Sequence, residues 1–546
     1  VSAIGAYARA RAAAVGVAQP VASVRHLHLS ESPLVLVPLT MAGEANAPLA
    51  AMVGTAADRP VLLVVPQPRD RSRRFRFADE LAAVLLAEVT RCAGAGSEPV
   101  KPPKAARTPP AAVTDPGAAA TGTADDGGQA AAAAAAGELA EATRFLDAPQ
   151  LLVPNRAGAD FVRLFGRSTR FRSTVGEYAV PAGVPLLGRW LTFLAQRAEH
   201  PGSCALVAMT EALARHWATG QSALEDANLA ALMAWIDPPP GRSGAEAARL
   251  AEDPTRWPPA GPTTDPDFDT RVLAPAIRAY DEAGAQSAAT TGGGREDPQV
   301  VVAEGAVAEV LRGQLEPTWR LMWRAVDLLR ALPPGASVAR RWEQDRARFS
   351  SYFAYLAAED GGLPQARRDG AVAAARRLAV LERELAGYEA DQAFDDPLVL
   401  ANQRVSGEAF VGQVVGVERD RRVANSRGTL VTRPLVEVLT VDPVRLAPHA
   451  KVESPARRGQ LGEIVGVRPA ADGLLVTLEL SGGMGRSKVP PPGSVPVEGE
   501  ALSYTSRLSD GMFSAGLPAP EDTPWTHGGP PSPYEPTEDD VRERWE

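Results

Sequence analysis

The sequence predicts an α+β protein of several domains: an N-terminal α/β domain with a disordered insert, a helical middle with an antiparallel stalk, and a small C-terminal β-barrel. Three observations carry this. The phrase Gly412-Gln413-Val414-Val415-Gly416-Val417-Glu418 returns as Gly462-Glu463-Ile464-Val465-Gly466-Val467-Arg468. Each copy alternates small or polar with β-branched residues, as a half-buried strand does, with glycines where a bent strand has no room for Cβ. Long helical patterns over 300–332, 337–359 and 365–393 are broken by Pro333-Pro334-Gly335 and Gly361-Gly362, which would fold them back on one another. An Ala/Gly/Pro/Thr-rich stretch over 94–137 reads as linker. At 546 residues the chain exceeds one ordinary core.

In chain order, residues 1–93 read as a helix (3–14), three strands (24–29, 34–39 and 61–65) and a helix (75–92) with Leu81, Val84, Leu85 and Val89 at helical spacing. After the linker, 138–236 continue that domain. Leu151, Leu152 and Val153 form a strand, a helix passes through Phe161, Val162 and Phe165, and helical patterns fill 185–199, 204–218 and 223–236. Residues 237–298 are Pro/Gly-rich connections. In 299–404, the stalk or bundle, Trp319, Met322, Trp323, Val326 and Leu329 make an apolar core stripe. Barrel strands fill 405–508, and an acidic, Pro-rich tail expected to be disordered spans 509–546.

The net charge of −9 is uneven. Nine acidic residues against Arg542 and Arg544 give the segment 509–546 a balance of −7, leaving only −2 for the rest. Acidity therefore does not exclude a nucleic-acid partner. Only Lys101, Lys104, Lys451 and Lys488 among the 57 basic residues are lysines, a usage that points to a GC-rich bacterial genome. Cys92 and Cys204 are too few for a disulfide framework or a cysteine-rich metal site. With no signal-peptide core and no long apolar run, a soluble cytoplasmic protein without membrane contact is expected.

Cations clustered with aromatic rings are what phosphate contact and base stacking require. Arg69, Arg71, Arg73, Arg74 and Arg76 interleave with Phe75 and Phe77 at a helix start, and Arg167, Arg170 and Arg172 flank Phe165 and Phe171. Arg419, Arg421, Arg422 and Arg427, with Arg433, follow the first copy of the repeated phrase; Arg457 and Arg458 precede the second, and Arg486 and Lys488 lie on a later loop. The second copy, followed by the Asp472-Gly473 turn and the strand 474–480, resembles the KOW-type SH3-like barrel. That resemblance implies a small barrel of the kind found in nucleic-acid-processing proteins.

The order helix, three strands, helix, strand over 3–154 is similar to the restriction-endonuclease-like core. That fold implies a metal held by a carboxylate and a Glu-x-Lys-type pair. Here the equivalent strand runs into Val65-Pro66-Gln67-Pro68-Arg69, with neither group, and Glu44 and Asp58 have no partner at the right spacing. A degenerate, binding core is expected. Leu480-Ser481-Gly482-Gly483 matches the opening of the ATP-cassette signature, but no phosphate loop accompanies it. His26 and His28 share a strand face without a third ligand, and Glu211 and His216 lie on one helix without further support.

No catalytic residue, metal ligand or cofactor is assigned. The favoured function is a non-catalytic bacterial accessory protein that binds DNA or RNA beside a separate helicase or nuclease, met through the stalk or through the acidic tail and its Trp545. The alternatives are a protein-interaction scaffold without nucleic-acid binding, and a divergent enzyme such as a degenerate metal-dependent nuclease.

Overall fold

The computed structural model describes residues 3–44, 47–99, 143–291, 297–357, 371–426, 428–485 and 489–508. Most of the expected linker and all of the acidic tail lie outside them. After helix α1 (Ala3–Val15) come strands β1 (Leu34–Thr40), β2 (Pro48–Gly54) and β3 (Val61–Val64), then α2 (Arg71–Gly94), β4 (Leu151–Val153), α3 (Arg156–Thr169), α4 (Gly183–Ala198) and β5 (Leu206–Ala208). The strands form one mixed sheet in the order β3-β2-β1-β4-β5, antiparallel across β1–β3 and parallel from β1 through β5. Every residue of β1 and β2 is buried, which accounts for continuous apolar runs in place of alternation.

Two expected elements differ. Residues 24–29 form no strand: the His26 amide donates to the His216 Nε2 and the His28 amide to the Cys204 sulfur. Arg25 exchanges main-chain bonds with Pro333 and Gly335, while His26 and His28 are satisfied by side chains from remote segments, so no neighbouring strand pairs along this stretch. Conversely, β2 is a strand the sequence hides, because Pro48-Leu49-Ala50-Ala51-Met52 lacks the β-branched signal and owes its form to partners on both sides. The helix expected over 204–218 is divided among β5, the short α5 (Met209–Ala214) and a two-residue strand, Trp217–Ala218.

The segment 237–298 is more ordered than its composition suggests. It carries α6 (Gly244–Glu252), opened by a Ser243–Glu246 capping box, and α7 (Ala274–Thr291). The long α8 (Pro298–Arg330) buries Leu311, Leu315, Trp319, Met322, Val326 and Leu329 in the same core as the sheet, joined by Trp342 and Phe349 of α9 (Val338–Ala357). The N-terminal domain and the first stalk helices thus share one hydrophobic core. The stalk is completed by α10 (Ala371–Asp395), whose last turns meet the first of α9: Arg340 and Arg341 bond Asp391, and Ser337 bonds Asp395.

After α11 (Pro397–Ser406), six strands build a second core: β6 (Ala409–Glu418), β7 (Leu435–Thr440), β8 (Lys451–Glu453), β9 (Leu461–Ala470), β10 (Gly473–Ser481) and β11 (Ala501–Thr505). Their order is β6-β7-β10-β9-β8-β11, and β11 returns to pair with β6. The sheet has internal two-fold symmetry. Gly412 faces Thr440 and Leu502 as Gly462 faces Leu480 and Val452. Across the middle, Val436 faces Leu478 and Val438 faces Val476, around the Glu437–Thr477 pair. The repeated phrase occupies matching strands, each with a β-bulge that leaves Val415 or Val465 unpaired and exposed. A Cβ on Gly412 would lie 2.4 Å from the Leu439 carbonyl oxygen, whereas nothing approaches Gly466. The steric reason expected for the glycines therefore holds at Gly412 and fails at Gly466.

Candidate nucleic-acid interface

Two arginine patches far apart in sequence meet around one ring. Asp70 accepts the Ser72 and Arg73 amides and so starts α2 at the basic run. Phe75 is then buried near the surface, while Phe77 goes fully into the core, edge-on to Phe165. The Arg71 guanidinium lies 4.7 Å from the Phe75 ring centre and that of Arg172, beyond the end of α3, lies 5.7 Å from the same centre. Such cation–ring contacts hold a guanidinium in place.

Two tyrosines extend the cluster. Arg71 lies 5.6 Å from the Tyr178 ring and donates to the Tyr178 carbonyl at 3.0 Å, and Tyr178 itself is 69% exposed. Arg73 lies 5.8 Å from the ring of Tyr280, on α7. Arg170 covers Phe171 at 4.4 Å, and the Arg172 Nε donates to the Ser168 carbonyl at 3.0 Å. Arg69 and Arg167 are exposed, Arg74 is half-buried, and Arg76 is paired with Glu80 at 2.7 Å. The sequence offers no signal for Tyr178 or Tyr280; only the packing of α2 against α4 and the approach of α7 to Gln67 and Arg73 bring them here.

The C-terminal arginines behave differently. Arg421 bonds Glu479 at 2.6 Å, and Arg433 lies 3.8 Å from the same carboxylate. Arg457 grips both oxygens of Glu500, at 2.9 and 3.0 Å. Arg458 reaches Asp391 and Asp395 of α10 at 3.3 and 3.1 Å, bonds Ser337, and stacks on Phe394. Intramolecular carboxylates thus hold the charge of Arg421, Arg457 and Arg458, three of the arginines expected to meet phosphates. Arg419 and Arg422 bond main-chain carbonyls of Pro490 and Leu430, and Arg427 lies outside the described residues, as do Arg486 and Lys488.

A buried polar junction lies behind Arg458. Asp396 accepts bonds from Ser23 and from His26 Nε2 at 3.2 Å. Burial would raise its carboxyl, but bonds from His26, Ser23 and the Leu398 amide outweigh that and hold it well below the usual range. His216 is pushed down to about 4 by burial, so it is neutral: Nδ1–H donates to the Ala212 carbonyl and Nε2 accepts the His26 amide. His28 turns away and stacks on Trp342 at 4.1 Å. The shared histidine face expected from the sequence does not exist. Among the described residues no three His, Cys, Asp or Glu side chains are placed to hold a metal ion, and no helix is long and apolar enough to cross a membrane. Asp58 is exposed beside Arg59, and Cys92 and Cys204 are buried and unbridged.

Comparison with protein-family models, with curated proteins and with solved structures finds no match to this chain.

Proposed function

We propose that this chain is a non-catalytic nucleic-acid-binding protein that holds a phosphate backbone on the arginine–aromatic cluster around Phe75. The observation that carries the reading is the convergence of Arg71 and Arg172 on that ring, beside the exposed Tyr178. Fixed guanidiniums suit phosphates, and an adjacent exposed ring suits an unstacked base. We read the C-terminal sheet as a small closed barrel that the buried carboxylates of α10 hold rigidly to the body. The partner enzyme would be a helicase or nuclease in a bacterial cytoplasm, in keeping with the two unbridged thiols and the arginine-heavy composition.

A protein-interaction scaffold is the second reading, favoured by Leu378, Val380 and Leu385 of α10, which are 57%, 42% and 45% exposed. Fluorescence anisotropy of labelled DNA and RNA at two salt concentrations separates the two. Affinity that falls steeply with salt and drops in an Arg71→Ala/Arg172→Ala variant supports phosphate binding. No binding at low salt rejects it and favours the scaffold.

A further inference from the structure

The two-fold symmetry of the C-terminal sheet supplies an internal control. In the second half, only 469–474 separate the paired residues Arg468 of β9 and Leu475 of β10: Pro469 and Ala470 still pair with Leu474 and Gly473, and the turn itself is Ala471-Asp472. The equivalent strands of the first half, β6 and β7, are joined by 419–434, ten residues longer. Register is identical on both sides of the two connections: Glu418 faces Leu435 as Arg468 faces Leu475. The second half shows that the fold needs only the short turn.

The extra residues form an antiparallel hairpin, with Arg422–Ala424 paired to Leu430–Thr432. Residues 419–433 contain five arginines and one aspartate. Arg421 and Arg433 are anchored on Glu479 at the root. Arg419 and Arg422 bond main-chain carbonyls, and among the described residues neither is in an ion pair with a carboxylate. Beyond them Ser426 and Thr429 are exposed, and Leu430 is 54% exposed although it is apolar.

We propose that this hairpin is a β-ribbon that enters the major groove of duplex DNA. The inference rests on the nucleic-acid reading above and adds a second contact, with a duplex. The major groove of B-DNA is about 12 Å wide and admits a two-stranded ribbon, whereas the A-form RNA groove is too narrow for side chains to read. Arg419 and Arg422 meet the flanking phosphates, the hydroxyls of Ser426 and Thr429 reach base edges, and Leu430 meets thymine methyl groups.

The test exchanges 419–434 for the 469–474 turn in the full chain and, separately, makes Arg419→Ala/Arg422→Ala. Each is titrated against a labelled mixed-sequence DNA duplex, its single strand, and duplex RNA. The exchange should keep the parent's melting temperature and lose about 10-fold or more in duplex-DNA affinity, with single-strand affinity changed less than about twofold. The double variant should lower the salt slope on duplex DNA by about 2, and it decides the matter if the exchange does not fold. Unchanged duplex affinity overturns the hairpin contact, and equal loss on duplex and single strand overturns the groove assignment. A parent that binds no nucleic acid instead removes the function on which the inference rests.

Discussion

His449 and Gly499 occupy the same backbone position in the two halves of the C-terminal sheet. The Gly499 amide donates to the Val414 carbonyl and the Val414 amide to the Glu500 carbonyl; His449 and Ala450 make the same pair of bonds with Ile464. Both residues take positive φ, 70° at His449 and 86° at Gly499, and His449 is the single non-glycine to do so among the described residues. A side chain in this region costs roughly 1–2 kcal/mol. His449→Gly should therefore be neutral or stabilise by up to about 1 kcal/mol, offset by glycine's greater freedom when unfolded, whereas Gly499→Ala should destabilise by about 1 kcal/mol. Urea unfolding of both variants checks this; a clear loss in His449→Gly would show that the exposed His449–Glu463 contact outweighs the backbone strain.

Arg458 is predicted to be structural. Its guanidinium faces Asp391 and Asp395, which are 2% and 1% exposed. Arg458→Met should cost about 1–3 kcal/mol, less than a fully buried pair because Arg458 is itself partly exposed and Asp391 keeps Arg340 and Arg341. Nucleic-acid affinity should stay at the parent level. Reduced affinity in a variant of parental stability would return Arg458 to the interface.

Tyr178 is predicted to stack a base. Because it is mostly exposed, Tyr178→Ala should barely change the melting temperature. It should weaken single-strand binding by about 1–3 kcal/mol, as loss of one stacked base does, and Tyr178→Trp should restore binding. Equal affinity in all three proteins would remove the ring from the site.

Acid should destabilise the buried junction, and the His28–Trp342 stack beside it, in two stages. His216 and His28 are both pushed down to about 4, His216 by burial and His28 by burial and then Arg25, while the unfolded chain titrates near 6.5. Between those values the unfolded chain binds more protons, so stability is full above pH 6.5 and falls toward pH 4, with a slope of about two protons. Asp396 is lowered from 3.8, so its contribution is present above that pH and lost below it. Urea unfolding at a series of pH values reads both windows. His216→Gln should remove about one proton from the first, and an unchanged slope would rule out the neutral, buried His216.

The parts legible in the sequence were those whose cause is local. The stripe from Trp319 to Leu329 marks α8 because one helix face must be buried, and the repeated phrase marks β6 and β9 because alternate residues face the second core. The strand β2 was not legible, since its alanines are held by β1 and β3, and neither was the loss of a strand around His26, whose partners come from His216 and Asp396. For the site, the basic and aromatic residues could be read, but nothing in their own segments distinguishes Arg71, lying on rings, from Arg458, held by carboxylates.

By itself the sequence determined the α+β composition, the long helices, the duplicated strands and the stock of arginines, because periodicity and residue type are set within a few residues. Only the tertiary structure decided that Arg71 and Arg172 share Phe75, that Arg457 and Arg458 are neutralised by Glu500, Asp391 and Asp395, and that the first half of the C-terminal sheet carries an added hairpin. The physical reason is that an arginine's charge is available or neutralised according to what lies within a few ångströms of it, and here those neighbours come from segments remote in the chain.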